Sequence, residues 1–148
     1  MKILKLSFIL ALGISVLSSC AKKATPAPAA PATSMSATIG STNWTATSVS
    51  AVSNSGFLVV AGVGAGNSTM GINMPSTATA GTDSVTSSQT TYSITYSDGS
   101  TSYAMSKGVL VISSNSGGTV SGTFSGKMDD FSGSASINIT KGAFTAKY

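Results

Sequence analysis

The stretch Thr91–Ser100, TYSITYSDGS, carries the clearest strand and turn pattern in the chain. Hydroxyl residues alternate with larger ones, so that Tyr92, Ile94 and Tyr96 share one face of a strand. An Asp-Gly pair follows, and this dipeptide favours the backbone angles of a tight hairpin turn. We therefore predict a hairpin in which Ser102–Met105 returns beside this strand, with one face in the core and the other in water.

Similar short runs, separated by Gly, Ser, Asn and Asp, fill the chain from Met35 onward. Ser, Thr, Gly and Ala dominate, while Arg, Glu and His are absent, so long helices are disfavoured. The pattern predicts an all-β domain of roughly eight to ten short antiparallel strands, with no helix longer than a turn or two. A β-sandwich and a small closed barrel both fit this number of strands.

Two runs, Gly56–Gly62 and Gly108–Ile112, are continuously apolar, and we expect them to be central strands covered on both faces. The segment GTVSGTFSGKM alternates and places Gly122 and Gly126 on its inner face, where they leave room for large neighbours. The alternation changes phase near Lys141-Gly142, which predicts a bulge or tight turn there.

The first residues have the three-part plan of a secretory signal, which we expect to form a signal helix. Lys2 and Lys5 are followed by the apolar run Leu6–Leu17 and then by small residues. This run is shorter than the ~20 residues that span a bilayer comfortably. The sequence therefore predicts a signal peptide over residues 1–19.

The segment Leu17-Ser18-Ser19-Cys20 resembles the lipobox of bacterial lipoproteins. The resemblance implies cleavage before Cys20, a diacylglycerol on its sulfur and an acylated amine. Cys20 is the only cysteine, and lipidation explains a lone thiol in an exported protein, since exported cysteines normally pair. The alternative is an ordinary signal peptide with an incidental cysteine.

The residues after Cys20, AKKATPAPAAPATS, have no apolar periodicity and include three prolines. We predict that residues 20–34 are a lipidated, disordered tether and that residues 35–148 are the β domain. By resemblance to lipoprotein sorting rules, Ala21 is not the Asp that retains lipoproteins at the inner membrane. We expect an outer-membrane anchor facing the periplasm, with the cell surface as the second choice, and membrane lipid as the partner of acylated Cys20.

The charged and titratable residues limit the activities that the chain can have. Loss of Lys2 and Lys5 leaves six Lys against four Asp, too few and too scattered for a nucleic-acid-binding surface. Asp129-Asp130 is the only acidic pair, but neighbours on a strand point to opposite faces, which suits neither paired acid–base catalysis nor a known calcium loop. A solvated turn is the expected role, with a weak calcium site as the alternative. We predict no enzyme activity, no cofactor and no metal.

Other candidate site residues have structural interpretations as defaults. Trp44 is the only Trp, and it fits the core or a stacking site for a sugar or another ligand. In the run STMGINMP, three residues share a face and are expected to fill the core or line an apolar pocket: Met70, Ile72 and Met74. The stretch Gly62–Asn67 lacks the third glycine of a phosphate-binding loop, and we predict a hairpin loop. Asp83-Ser84-Val85 is similar to a bacterial O-glycosylation motif and is expected in a loop.

The domain opens with a Gly-x-x-x-Trp-like strand and closes with Gly-Thr-Phe and Gly-x-Phe strands, at Gly40, Trp44, Gly122, Thr123, Phe124, Gly142 and Phe144. This pattern resembles that of a family of small, uncharacterised Gram-negative lipoproteins. The resemblance implies a β-sandwich-like fold and no known activity. We therefore expect a membrane-anchored envelope lipoprotein with a non-enzymatic binding or structural domain. The alternatives are a carrier of an apolar ligand in a barrel interior and a carbohydrate-binding or adhesion module.

Overall fold

The computed structural model describes residues 32–148, and Cys20 and the predicted signal peptide lie outside them. Within these residues no helix is long and apolar enough to cross a membrane. The described residues form ten strands and one short 3-10 turn, Ala65–Asn67. The strands are β1 Ser34–Ile39, β2 Thr42–Thr45, β3 Ser48–Asn54, β4 Phe57–Val63, β5 Thr69–Pro75, β6 Gly81–Thr86, β7 Ser93–Ser97, β8 Ser102–Ser116, β9 Thr119–Asp130 and β10 Ser136–Lys147.

All ten strands belong to one antiparallel sheet, in the order β2-β1-β10-β9-β8-β7-β5-β4-β3. The remaining strand, β6, pairs with residues 107–112 in the middle of β8, while β7 pairs with the beginning of β8. The sheet curls into a half-barrel. The prediction of an all-β, antiparallel domain of eight to ten strands is confirmed; the single curled sheet is a half-barrel, whereas the sequence left a sandwich and a closed barrel open.

The hairpin predicted from Thr91–Ser100 is present. Tyr96 pairs with Tyr103 and Ser97 with Ser102, so the chain turns at the Asp-Gly pair. The returning strand is longer than expected, because it continues through the apolar run Gly108–Ile112 as a single 15-residue strand. One hairpin therefore joins the two features that the sequence shows separately.

The concave side of the sheet is filled by its own side chains. Leu58, Val60, Ile72, Met74 and Leu110 are fully buried, with no exposed surface. Met70 belongs to the same cluster, so that the methionine run of β5 packs in the core. Burial of this apolar surface is the main force that holds the curl, at about 25 cal/mol per Å² removed from water.

The expectation that β4 and β8 are covered on both faces is wrong. Val59, Val63 and Val109 remain 45%, 43% and 39% exposed. The reason is that one curled sheet has a single inner face, so alternate residues of even a continuously apolar strand point outward. The central position holds for β8, whereas β4 lies next to the edge strand β3.

The phase change near the end of the chain is a bulge, as predicted. The pairing of β9 with β10 shifts between Ile139 and Gly142, and Lys141 has a φ of 52°. After the shift, Phe144 and Ala146 point into the core, although their parity is opposite to that of Ile139. One extra residue thus keeps both halves of β10 facing inward.

Candidate aromatic cleft

A cleft of about 260 Å³ opens where the β1–β2 turn faces the β7–β8 hairpin. Eight residues line it: Ile39, Thr42, Asn43, Trp44, Tyr96, Asp98, Tyr103 and Ile137. Most of them come from strand ends that meet at one end of the half-barrel. The mouths of β-barrels are frequent ligand-binding positions, and this cleft joins aromatic side chains with a charged group.

Trp44 forms one wall of the cleft. A two-residue turn at Gly40-Ser41 joins β1 to β2, since Ile39 pairs with Thr42, and it directs the Trp44 side chain inward. The indole Nε1–H donates to Ser68 Oγ over 2.8 Å, and Ser68 Oγ donates to the Ala65 carbonyl over 2.7 Å. These bonds fix the indole against the β4–β5 loop.

Tyr96 and Tyr103 form the adjoining wall. They are direct cross-strand partners, so their side chains lie on the same face of the β7–β8 hairpin. Their ring centroids are 6.2 Å apart with an interplanar angle of 24°, whereas the Trp44 ring meets Tyr96 at 6.4 Å and 83°. The indole thus stands nearly perpendicular to the tyrosine pair.

Asp98 supplies the charge of the cleft. Its Oδ1 accepts hydrogen bonds of 2.8 Å from the Ser100 N–H, the Ser100 hydroxyl and the Thr101 N–H. These bonds, with that from Thr101 the largest contribution, hold the pKa of the carboxyl below its ordinary value. Burial raises the pKa of the Tyr96 phenol, and the neighbouring Asp98 carboxylate adds to this effect. At neutral pH the cleft therefore contains the Asp98 carboxylate and the neutral Tyr96 phenol.

A second cleft, of about 320 Å³, has a different chemical character. It is lined by β8, β9 and β10 residues, among them the outward-facing Val109, together with Phe124 and Lys141. It contains one aromatic ring and no carboxylate, so it offers fewer converging groups than the Trp44 cleft. The aromatic cleft is the better candidate for a functional site.

The acidic pair lies at the end of β9, on the strand next to the cleft: Asp130 pairs with Tyr103, but neither aspartate is among the lining residues. Asp129 Oδ1 is 2.8 Å from Lys127 Nζ, on the exposed side of the strand. Asp130 accepts from the hydroxyls of Ser132 and Ser134 through Oδ2, and from the Ala135 N–H through Oδ1. Asp130 therefore stabilises the turn, as the default interpretation expected, whereas Asp129 lies within β9 and pairs with Ala104 and Ser136. Among residues 32–148, no cluster of three or more metal-ligating side chains is present.

The remaining candidates fall in different places. Gly62–Asn67 includes the end of β4 and the connection to β5, as predicted for a hairpin loop. The loop expected at Asp83-Ser84-Val85 is wrong, because these residues lie within β6 and pair with β8. Val85 is buried there, since its inward position on the strand packs it into the core. Cys20, the expected lipidation site, lies outside the described residues.

The sequence favours the core for Trp44 and leaves a ligand contact as the alternative; in the structure Trp44 is 8% exposed, belongs to the core cluster and also lines the cleft. The sequence places Tyr96 on a core face and Asp98 in a turn, and it does not indicate that both line the same cleft as Trp44. The hairpin register contained a usable signal, because an Asp-Gly turn places Tyr96 opposite Tyr103. No comparable local signal places Trp44 beside them, since the contact spans two strands that are distant in the chain.

Comparison with known proteins defines the family of the chain. No curated protein and no solved structure matches it. One family model matches residues 32–146, which include all the strands apart from the last residue of β10. The chain therefore belongs to the DUF6252 family, a domain of unknown function.

Proposed function

We propose that the chain is a cell-envelope lipoprotein, anchored through acylated Cys20, whose β domain is a non-enzymatic binding module. One observation carries the proposal: the segment Leu17–Cys20 resembles the lipobox pattern, and the family domain begins at residue 32, directly after the last proline of the Pro- and Ala-rich segment. This order is what an anchor, a spacer and a presented domain require. Several acyl chains hold a protein on a membrane far better than one chain does.

The binding role rests on the aromatic cleft. Its walls are three aromatic rings, and its charged group is a carboxylate whose geometry is held by a turn. Such a surface can retain a ligand through stacking and charge. Tethering places this cleft next to the membrane, in the periplasm if the anchor is in the inner leaflet of the outer membrane. The cell surface is the alternative position.

A second proposal is that the domain carries an apolar ligand. The packing of the core restricts where this ligand would lie. The concave face is occupied by side chains that have almost no exposed surface, such as Leu58 and Met128. An apolar ligand would therefore occupy the mouth, between Ile39, Tyr103 and Ile137, and not the interior of the half-barrel.

The anchor is tested by metabolic labelling of the full chain with a radioactive fatty acid in a Gram-negative host, followed by membrane fractionation. We expect the native chain to incorporate label and to sediment with membranes. Cys20→Ser removes the acylated sulfur, so this variant should lose both properties. Ser19→Ala keeps a small residue before the cleavage site and is the matched control, which should behave like the native chain.

Two readouts decide between the outcomes. Unchanged maturation and membrane association of Cys20→Ser would overturn the lipoprotein proposal. Digestion of the β domain by protease added to intact cells would move the domain from the periplasm to the cell surface. Protection in intact cells, with digestion after the outer membrane is permeabilised, is the result expected for a periplasm-facing domain.

A further inference from the structure

The shape of the aromatic cleft restricts its ligand. The Trp44 ring and the Tyr96–Tyr103 pair are two walls at an angle near 90°, with ring centroids 6.4 Å and 6.2 Å apart along the cluster. Two perpendicular aromatic walls contact a compact group on two sides, whereas a sugar ring stacks one of its faces on a single open aromatic ring. The volume of about 260 Å³ fits a small molecule or a small headgroup.

The charge of the cleft is negative. Asp98 is the only charged residue among the eight that line it. Ser100 and Thr101 donate all their hydrogen bonds with the Asp98 carboxylate to Oδ1. Among the described residues no side-chain hydrogen bond reaches Oδ2, so this oxygen is available to a ligand. Because no lysine lines the cleft, an anionic ligand would meet only repulsion there.

The indole N–H is not available to a ligand. Trp44 Nε1 already donates to Ser68 Oγ, and Ser68 is only 5% exposed. Trp44 is 8% exposed, so it offers a ligand only the part of its ring that lines the cleft, and no hydrogen-bond donor. Aromatic rings attract cations through the negative potential of their faces, most strongly when the cation is desolvated beside them.

We propose that this cleft binds a small organic cation, an ammonium group that carries methyl or other apolar substituents. The apolar substituents contact the walls formed by Trp44, Tyr96 and Tyr103, and the positive charge lies near Asp98 Oδ2. The inference rests on the proposed binding role of the domain and does not depend on the lipid anchor.

Trp44 is the only Trp of the chain, so its fluorescence reports on this cleft directly. The full chain, purified in a polyoxyethylene detergent that has neither a sugar nor an ammonium headgroup, is titrated at constant ionic strength. The probes are tetramethylammonium, choline, the uncharged choline analogue 3,3-dimethylbutan-1-ol, and glucose. We expect a saturable fluorescence change with both cations and none with the neutral analogue or with glucose.

Asp98→Asn removes the charge and keeps a side-chain oxygen that can hold the turn. We expect choline to bind this variant about tenfold more weakly, equivalent to about 1.4 kcal/mol. Asp83→Asn, which removes a carboxylate outside the cleft, is the matched control and should bind like the native chain. Tyr96→Leu removes one aromatic wall and should weaken binding of both cations, which tests the cleft independently of the charge.

Three results would overturn the inference. Absence of a saturable change with either cation excludes the site, and equal affinity for the neutral analogue shows that charge plays no part. Saturable binding of glucose without binding of cations assigns the cleft to a saccharide. None of these results bears on fatty-acid labelling at Cys20, and a failed labelling experiment leaves the titration unaffected, so the two proposals fail separately.

Discussion

At the scale of single residues, glycines on the inner face make room for aromatic rings. A Cβ at Gly142 would lie 2.5 Å from the Phe124 ring, and one at Gly122 would lie 2.8 Å from the Phe144 ring. The two phenylalanines meet at a centroid distance of 6.4 Å. Of the two glycines expected to leave room for large neighbours, Gly122 does so for the Phe144 ring, whereas a Cβ at Gly126 would meet the backbone of Lys107 and Gly108.

Gly142→Ala should destabilise the domain by about 1–3 kcal/mol, because the added methyl overlaps both the Phe124 ring and its carbonyl. Gly81→Ala is the control: the nearest atom to its Cβ is the Thr79 carbonyl oxygen at 3.9 Å, so we expect a change within about 0.5 kcal/mol. Urea unfolding followed by Trp44 fluorescence measures both. Equal stabilities of the two variants would contradict the packing role of Gly142.

At the scale of elements, the β9–β10 hairpin shows how a polar turn is organised around one carboxylate. Asp130 accepts hydrogen bonds of 2.6 Å and 2.9 Å from the hydroxyls of Ser132 and Ser134, and one of 3.1 Å from the Ala135 N–H. These bonds, that from Ser132 first, lower the pKa of Asp130 to about 2. The turn is therefore formed best when Asp130 is ionised.

Asp130→Asn should reduce the loss of unfolding free energy that occurs as the pH falls from about 4 to 2. The pKa of Asp130 in the folded chain is about 2, below the ~3.9 of an unperturbed Asp, so its ionised contacts stabilise the fold above about pH 4. That contribution is lost as the pH falls through 2. We expect the native chain and the variant to differ less at pH 2 than at pH 6, by urea unfolding at each pH.

Ser132→Ala provides an intermediate case for the same measurement. It removes the shortest of the three hydrogen bonds and leaves the carboxylate in place. The unfolding free energy that this variant loses at acid pH should lie between the losses of the native chain and of Asp130→Asn. A pH profile of Asp130→Asn that parallels the native profile throughout this window would show that the turn contacts do not contribute to stability.

At the scale of the whole molecule, one curled sheet has a filled inner face and an open outer one. The charged side chains are unevenly distributed along the chain, because none occurs between Lys23 and Asp83. Strands β1 to β5 are consequently uncharged, and β6 to β10 with their turns carry all the charged side chains of the described residues. Electrostatic attraction of a partner must therefore come from β6 to β10 and their turns, which include the Asp98 side of the cleft.

Two neighbouring residues of β8 test the single inner face. Leu110 is fully buried, whereas Val109 is 39% exposed on the outer side. Leu110→Ala should cost about 2–5 kcal/mol of unfolding free energy, because it leaves a cavity in the core. Val109→Ala should cost less than about 1 kcal/mol, since most of its neighbouring volume is solvent. Comparable losses in the two variants, measured by urea unfolding, would indicate that the outer face is covered in solution.

The sequence by itself determined the local structure of the domain. Alternation at Tyr92, Ile94 and Tyr96 predicted a strand, the Asp-Gly pair predicted its turn, and the phase change predicted the bulge at Lys141. These features depend on residues a few positions apart, whose backbone preferences and side-chain directions are set locally. The expected antiparallel all-β class follows from the same short-range pattern.

Only the tertiary structure decided how the strands close and what they bring together. It left the outer faces of β4 and β8 exposed and placed Asp83 within a strand, because strand order and curl are set by long-range packing. The cleft has the same origin: Trp44 meets Tyr96 across strands that are far apart in the chain. Local periodicity specifies which face of each strand is apolar, but the curvature of the whole sheet determines which faces meet.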